Sequence, residues 1–470
     1  MTETSLVWLR NDLRVADNPA LSAAISRGGK VAALYIHEQS ANVRQPGGAS
    51  RWWLHHSLNA LARSLAELGI PIAVRTGNSH AVLIEMLVET RADAVFWNRR
   101  YAPGERAVDE EIKHALEEHG IAVQSFASNV LVEPWDIRTG QGRPYSVYGP
   151  FLKALTARAI AAPFPVPIGS APITLEPTDS DYREPRWAKK LAPYWKVGEV
   201  AAEQVLAQFL DNRLPNYPLG RDIPGQSATS RLSPHLRFGE ISPRRAWHAA
   251  LAAAQIDPAK QTFIDKFLTE LAWRDFNYHQ LFHREDIASK SMTPKYERMR
   301  WRVAEDDLAA WQRGQTGIPL VDAGMREMWE TGFMQNRVRM LTASFLTKNL
   351  LIDWRLGETW FWDCLIDADV ANNPGNWQWI AGSGLDAAPF FRIFNPITQG
   401  EKFDTDGSYV RRWVPELAGL PDKWLHRPAE APQHILDTAG VTIGDTYPAP
   451  IVDLQASRGR ALEAFAAIRE

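Results

Sequence analysis

Short apolar runs alternate with amphipathic stretches over the first 130 residues. Five runs have the length and composition of strands, at residues 5–10, 30–38, 70–76, 92–98 and 121–127. Between them, residues 51–69 and 105–120 repeat apolar positions at helical spacing, and the second stretch ends on Gly120, a residue suited to a helix C-terminus. Alternating strands and helices predict a doubly wound parallel α/β sheet.

The pattern changes after residue 130. Residues 131–200 are rich in proline, most of all residues 161–177, and predict a connector. Beyond residue 200 the strand signal fades, and helical spacing appears at residues 265–282, 321–332 and 336–354. The sequence therefore predicts an α/β domain over residues 1–130, a connector over 131–200 and an all-helical domain over 201–470.

One stretch of the second half is unusual. The segment "ANNPGNWQW" (371–379) places turn-forming residues directly before Trp377 and Trp379. Asn, Pro and Gly favour turns and disfavour helix interiors, so a stiff polar loop is predicted before the two tryptophans.

Composition and charge add few constraints. The 470 residues carry a net charge of −3, which gives no overall sign of nucleic-acid binding but allows a local basic face. A single cysteine, Cys364, excludes an internal disulfide. The polar start and the lack of a long apolar segment predict neither a signal peptide nor a membrane span, and a cytoplasmic protein is expected. No metal site is predicted.

Familiar phosphate-binding motifs are absent, because no G-x-G-x-x-G follows the first strand and no P-loop occurs. Residues 228–244, "ATSRLSPHLRFGEISPR", instead offer hydroxyls, backbone N–H groups and arginines that can hold a diphosphate. The alternative is an ordinary helix start, since Ser242-Pro243 is a good N-cap sequence.

Two helical windows place unlike groups on one face. Glu270, Trp273 and Arg274 are spaced i, i+3 and i+4, and Asn336, Arg339 and Met340 repeat that spacing. A carboxylate, an indole and a guanidinium on one stripe are unusual for a plain core. The alternative for the first window is an exposed Glu270–Arg274 pair beside a core tryptophan.

Several motifs, in order along nearly the whole chain, resemble those of the photolyase/cryptochrome flavoproteins. They lie at residues 8–21, 229–244, 270–276, 332–340, 350–358 and 376–404. The last of these, "NWQWIAGSGLDAAPFFRIFNPITQGEKFD", is close to diagnostic. The chain is similar to microbial DNA photolyases that repair cyclobutane pyrimidine dimers, and this resemblance implies light-driven electron transfer from reduced FAD to the dimer.

The resemblance also implies roles for individual residues. Residues implied to bind FAD are Tyr217, Thr229, Ser230, Arg231, Leu232, Ser233, Phe267, Arg274, Phe333, Asn336, Arg339, Asp367, Ala368, Asp369 and Asn373. Of these, Asn373 would face the reducible ring nitrogen of the flavin. Trp377, Trp354 and Trp301 would form an electron relay from the flavin to the surface. Catalytic roles are implied for Glu270, Asn336, Met340 and Asn373.

The DNA-facing positions bear on which lesion is repaired. They are Arg221, Glu270, Trp273, Asn336, Arg337, Met340, Trp379, Arg392 and Gln399. Relatives that repair (6-4) photoproducts have histidines at the positions of Asn336 and Met340, so the sequence favours cyclobutane dimers. The implied partner is ultraviolet-damaged DNA, and a monomer is expected. The alternatives are a cryptochrome-like blue-light receptor and a (6-4) photolyase.

An antenna chromophore is also expected. Glu105 matches an acid that contacts the pterin of a folate antenna in some members, although Gly104 replaces the asparagine found there. Methenyltetrahydrofolate is favoured over 8-hydroxydeazaflavin.

Overall fold

Five parallel strands form one sheet in the computed structural model, which describes residues 3–171, 173–175 and 182–468. The strands are β1 (Thr4–Leu9), β2 (Lys30–Glu38), β3 (Ile72–Gly77), β4 (Ala94–Asn98) and β5 (Ala122–Phe126). Their spatial order is β3-β2-β1-β4-β5, with every neighbouring pair parallel. The order reverses between β1 and β4, as in doubly wound sheets. The α/β prediction is confirmed.

Helices follow the strands of the sheet and then dominate the chain. The helices that accompany the sheet are α1 (Pro19–Ser26), α2 (Gly48–Glu67), α3 (Ser79–Thr90), α4 (Pro103–Glu118) and α5 (Tyr148–Thr156). Both predicted helices of this part are present as α2 and α4. Gly120 has a φ of 75°, the left-handed conformation expected just past a helix end.

The remaining α-helices are α6 (Glu199–Gln208), α7 (Tyr217–Gly220), α8 (Ser233–Phe238), α9 (Pro243–Ile256), α10 (Gln261–His283), α11 (Glu305–Arg313), α12 (Pro319–Thr331), α13 (Asn336–Ser344), α14 (Trp354–Cys364), α15 (Asn372–Ala381), α16 (Pro396–Phe403), α17 (Ser408–Trp413), α18 (Asp422–Leu425), α19 (Gln433–Ala439) and α20 (Leu454–Ala466). Short 3-10 segments lie at Arg186–Lys190, Ala192–Tyr194, Leu214–Asn216, Pro258–Lys260, Pro294–Arg298, Pro415–Leu417 and Pro428–Glu430, and π-type turns at Phe209–Arg213 and Phe345–Asn349. A helical second half is confirmed.

The chain divides into two compact units. The first unit combines residues 1–212 with residues 230–285, and the second unit combines residues 213–229 with residues 286–470. The boundaries predicted at residues 130 and 200 stay predictions. Within the predicted connector, residues 172 and 176–181 lie outside the described residues. Among the described residues, no helix is both long and apolar enough to cross a lipid bilayer.

The helical spacing over residues 336–354 belongs to two helices, not one. Helix α13 ends at Ser344 and continues as the π-type turn, and α14 begins at Trp354. Between them Leu351 has a φ of 54°, which a right-handed helix does not allow, and its carbonyl accepts a hydrogen bond from Arg302 N at 2.7 Å. Leucines occupy the segment between the two helices because this segment is buried in the core, not because a helix continues through it.

Candidate functional site

The segment 371–376 begins a helix, so the predicted polar loop is wrong. Asp369 Oδ1 accepts hydrogen bonds from Ala371 N, Asn372 N and Asn372 Nδ2, at 2.9, 2.7 and 2.9 Å. These bonds fix the start of α15. Pro374 is the third residue of the helix, where a backbone N–H would have no intrahelical partner, so a proline there removes no hydrogen bond. The helical hydrogen bonding begins with Gly375 N, which donates to Ala371 O at 3.0 Å.

Asn373 is oriented by the neighbouring helix α14. Its side chain is buried, and its Nδ2 donates to the carbonyl oxygen of Glu358 at 3.0 Å and to Glu358 Oε1 at 2.8 Å. An amide has two N–H hydrogens and one carbonyl oxygen. With both hydrogens bound to Glu358, the Asn373 carbonyl oxygen remains as the hydrogen-bond acceptor of this side chain.

Arg339 is held at three points in the second unit. Its Nη2 lies 2.8 Å from Asp367 Oδ2, its Nε donates to Met334 O at 2.6 Å, and its guanidinium carbon lies 5.1 Å from the centre of the Phe333 ring. Asp367 is almost fully buried. A buried carboxylate paired with a more exposed guanidinium gives a fixed charge pair that can bind polar groups of a cofactor.

The three tryptophans predicted to form an electron relay lie in or against one hydrophobic core. Trp377 and Trp354 have exposed fractions of 2% and 0%, and the partly buried Trp301 packs against the same core. The Trp377 ring meets Phe361 and Trp311 edge-on, with centroids 5.0 and 6.3 Å away. Trp377 and Trp354 are therefore buried and Trp301 is partly exposed, which is the distribution of exposure that electron transfer between the interior and the surface requires.

Sequence reasoning missed Gly357. A Cβ atom at this position of α14 would overlap the six-membered ring of Trp377 and the side chain of Leu346. Glycine is therefore needed for the indole to approach the helix. The signal was present, because a glycine inside a helix costs about 1 kcal/mol relative to alanine and usually has a packing reason.

Helix α10 presents its candidate residues within the first unit. Glu270 pairs with Lys266 at 2.8 Å, one turn earlier, and Arg274 Nη1 donates to Asn129 O at 2.6 Å. The alternative of an exposed Glu270–Arg274 pair is thus wrong, since each side chain has another partner. Trp273 stacks on Tyr148, with centroids 3.6 Å apart and planes at 9°. Tyr148, which the sequence did not indicate, covers one face of that indole.

The phosphate-binding candidates are divided between the units. Ser230 to Ser233 lie in the first unit at the start of α8, and Thr229 and Tyr217 lie in the second. Arg231 has a φ of 56° and its guanidinium carbon lies 4.0 Å from the centre of the Trp195 ring. Ser242 caps α9 by accepting from Arg245 N, as the alternative for this run predicted.

Asn336 and Met340, two candidates for the lesion-binding pocket, lie one turn apart at the start of α13. Asn336 is exposed at the first position of the helix, and its Nδ2 lies 3.8 Å from Met340 Sδ one turn later. Arg337, between them, pairs with Asp222 at 2.7 Å. Gln335 caps the helix and also donates to the carbonyl of Arg221, so residues 221–222 are tied to the beginning of α13.

The remaining candidates of the second unit differ in exposure. Arg392 is exposed, next to Phe391, which has an exposed fraction of 59%. Trp379 is partly buried and packs against the core that also contacts Met340. Gln399 is partly buried in α16.

Comparisons with known proteins identify the family. Residues 5–168 match the family described as DNA photolyase, and residues 267–467 match the FAD binding domain of DNA photolyase. The chain is 47% identical to a deoxyribodipyrimidine photo-lyase of Agrobacterium fabrum over 100% of this chain and 99% of that protein. The chain belongs to the photolyase/cryptochrome family.

Other members of the photolyase/cryptochrome family are also similar. Cryptochrome-1 of Arabidopsis thaliana is 37% identical, over 98% of this chain and 70% of that protein. The crystal structure of a bacterial class III photolyase from Agrobacterium tumefaciens, 47% identical, superposes with a TM-score of 0.96 over 100% of this chain and 98% of that one. The family and the two-part fold implied by the motifs are confirmed, and residues 267–467 form its FAD-binding domain.

The antenna candidate has a structural role in this photolyase-family chain. Glu105 Oε2 accepts from Ala102 N at 3.3 Å in the first turn of α4. A Cβ at Gly104 would overlap the carbonyl of Asn42, so position 104 has no room for a side chain. That Glu105 holds a folate stays a prediction.

A buried charge cluster lies at the carboxyl edge of the sheet, between β1 and β4. Asp109 pairs with Arg10 at 3.1 Å and with Arg100 at 2.5 Å. Burial lowers the pKa of Arg10 to about 10 against the opposing effect of Asp109. Ligands of doubly wound sheets bind at such reversals of strand order. Sequence reasoning missed this cluster, because its members come from three separate segments.

Proposed function

We propose that this chain repairs cyclobutane pyrimidine dimers in DNA by light-driven electron transfer. The observation that carries the proposal is the pair Asn336 and Met340 on one face of α13, in a chain of this family. An amide beside a thioether suits a lesion with carbonyls and methyl groups. Histidines stand at these positions in members that act on (6-4) photoproducts.

The donor set of the second unit fits a flavin. Arg339 offers a charged N–H fork beside Asp367, and Asn373 offers a carbonyl oxygen held by two hydrogen bonds. FAD, when bound and reduced, would supply the electron that opens the cyclobutane ring after absorbing blue light. An uncharged acceptor at Asn373 suits a protonated ring nitrogen without adding negative charge.

The tryptophans and pocket residues would divide the remaining work. Trp377, Trp354 and Trp301 would carry an electron inward from an external donor, by short hops between indoles, to restore the reduced cofactor. Asn336, Met340 and Trp379 would receive a dimer turned out of the duplex. Unpairing costs a few kcal/mol and costs least at a damaged base, so damaged sites would be preferred.

DNA binding would rest on local arginines. Arg392 is exposed and suits a phosphate because its fork makes two parallel hydrogen bonds. Arg221 and Arg337 are further candidates, although Arg337 must exchange Asp222 for a phosphate. We place a folate antenna near Glu105 as a separate proposal, tested by identifying the pigment released from the purified protein by acid.

The test is repair under illumination. The reduced protein is illuminated with oligothymidine that contains cyclobutane dimers, and absorbance of the restored thymines is followed; dark and oxidised samples are the controls. An oligonucleotide with one (6-4) photoproduct serves as matched substrate. Repair of dimers alone supports the proposal. Repair of only the (6-4) lesion supports a (6-4) photolyase instead. Repair of neither lesion, by a protein whose flavin still shows reversible photochemistry, supports a blue-light receptor.

A further inference from the structure

Lys348 is a buried lysine whose amine reaches a surface loop. It lies in the π-type turn Phe345–Asn349 after α13, and only 1% of its surface is exposed. Its Nζ donates a hydrogen bond to the carbonyl oxygen of Arg392 at 3.0 Å and lies 5.6 Å from the centre of the Phe390 ring. Such turns are rare and occur often at functional sites.

The surroundings of Lys348 do not compensate its charge. Among the described residues it has no ion pair with a carboxylate, and Arg392 is the charged group that acts on it. The neighbouring guanidinium groups are directed to backbone carbonyls, Arg460 to Asn349 O at 2.7 Å and Arg302, which also pairs with Asp307, to Leu350 O at 2.9 Å. Burying an ammonium without a counter-ion is unfavourable, so a hydrophobic residue would be more stable here.

The hydrogen bond fixes the loop that carries Arg392. Phe390 is fully buried against Tyr296 and Phe465, and the next two residues, Phe391 and Arg392, are exposed. Drawing the Arg392 carbonyl inward leaves its guanidinium directed to solvent. The loop thus has two internal anchors, one apolar ring and one amine.

We propose that Lys348 is a positioning residue for DNA binding: it holds the Arg392 carbonyl so that the Arg392 side chain meets a DNA phosphate. This inference rests on the proposed function, since it takes damaged DNA as the ligand. It assigns a role in DNA binding to a residue that is itself buried in the protein.

The test is a double-mutant cycle on DNA affinity. Binding of a dye-labelled duplex with one thymine dimer is measured by fluorescence anisotropy, in the dark, on the FAD-loaded full chain over a range of salt. The proteins are wild type, K348M, R392A and K348M/R392A. Affinity falls as salt rises, and R392A should make the plot of log affinity against log salt less steep by about 0.9, the value for one phosphate on duplex DNA. K348M should reduce the steepness of this salt dependence by a similar amount.

The double variant separates positioning from general destabilisation. If Lys348 acts through Arg392, K348M changes affinity by less than about twofold once Arg392 is already alanine. An equal loss in both backgrounds, unchanged binding by K348M, or no effect of R392A would each overturn the inference. K348Q, whose amide stops one bond short of the Lys348 amine, repeats the measurement should K348M fold poorly. Dimer repair by the wild type, measured separately, shows whether the proposed function itself holds.

Discussion

Lys348 should make the stability of this protein rise with pH in a way that one substitution removes. Burial, aided by the charge of Arg392, lowers the pKa of Lys348 from its usual 10.5 to about 7. In the unfolded chain the amine keeps its usual pKa. Between these two values the unfolded state binds one more proton than the folded state, so the free energy of unfolding rises with pH. Below pH 7 both states are protonated, and the full cost of the buried charge is present.

The size of the effect follows from the two pKa values. Each pH unit in this window contributes about 1.4 kcal/mol, and the whole window contributes about 5 kcal/mol. Lys348→Met keeps an unbranched side chain of similar length and has no charge to bury. Relative to this variant, the wild type should gain about 2–3 kcal/mol of stability on going from about pH 7.5 to about pH 9.5.

The assay is urea unfolding followed by tryptophan fluorescence, at both pH values, for wild type and Lys348→Met. Taking the difference between the two proteins cancels the titration of all other groups. The variant should be the more stable protein near neutral pH, and its advantage should shrink as the pH rises. A difference that stays constant with pH would mean that Lys348 titrates normally, and the reasoning from burial would be refuted.

Three further predictions concern the flavin side of the second unit. Trp377→Phe should block photoreduction of oxidised FAD by an added thiol, followed by flavin absorbance, while Trp311→Phe, the neighbouring indole outside the relay, should not. Gly357→Ala should slow the same reaction and lower the free energy of unfolding by up to about 2 kcal/mol, since overpacking outweighs the gain in helix propensity; unchanged rates would remove Gly357 from the relay. Asn373→Asp should destabilise the protein by about 1–3 kcal/mol in urea unfolding by facing Glu358 with a second carboxylate, and adding Glu358→Gln should restore much of the loss.

Much of the fold was predictable because each strand and helix carries its own periodic signal. The five strands lie within two residues of the predicted runs. Every residue of the central strands β1 and β4 is buried, and a strand buried on both faces reads as a continuous apolar segment. Two local errors have clear causes. Residues 372–376 begin a helix because Asp369 supplies acceptors to its first N–H groups, and the helical spacing over 336–354 hides a break at Leu351. The start of this helix and the break at Leu351 both depend on contacts that the helix propensities of single residues do not describe.

The side-chain partners of the site were harder to predict. The spacing on α10 suggested a Glu270–Arg274 pair, but Lys266 is equally well placed one turn earlier and Asn129 lies far away in sequence. The burial of Lys348 could not be predicted from the sequence, because a lysine among apolar residues usually lies on the exposed face of a helix. Sequence similarity located the candidate residues, and the structure shows what holds them.

Helix α14 connects these observations, since one turn of it contacts both Trp377, a residue of the proposed relay, and Asn373, the amide proposed to face the flavin. Trp354 is its first residue, Gly357 receives the Trp377 ring, and Glu358 holds Asn373. These three residues are spaced i, i+3 and i+4, so they lie on one face of the helix within about one turn. Asp353 caps this turn by accepting from Arg355 N at 3.0 Å. The position of the Trp377 ring and the orientation of the Asn373 carbonyl are therefore both set by helix α14, and a shift of this helix along its axis would change both together.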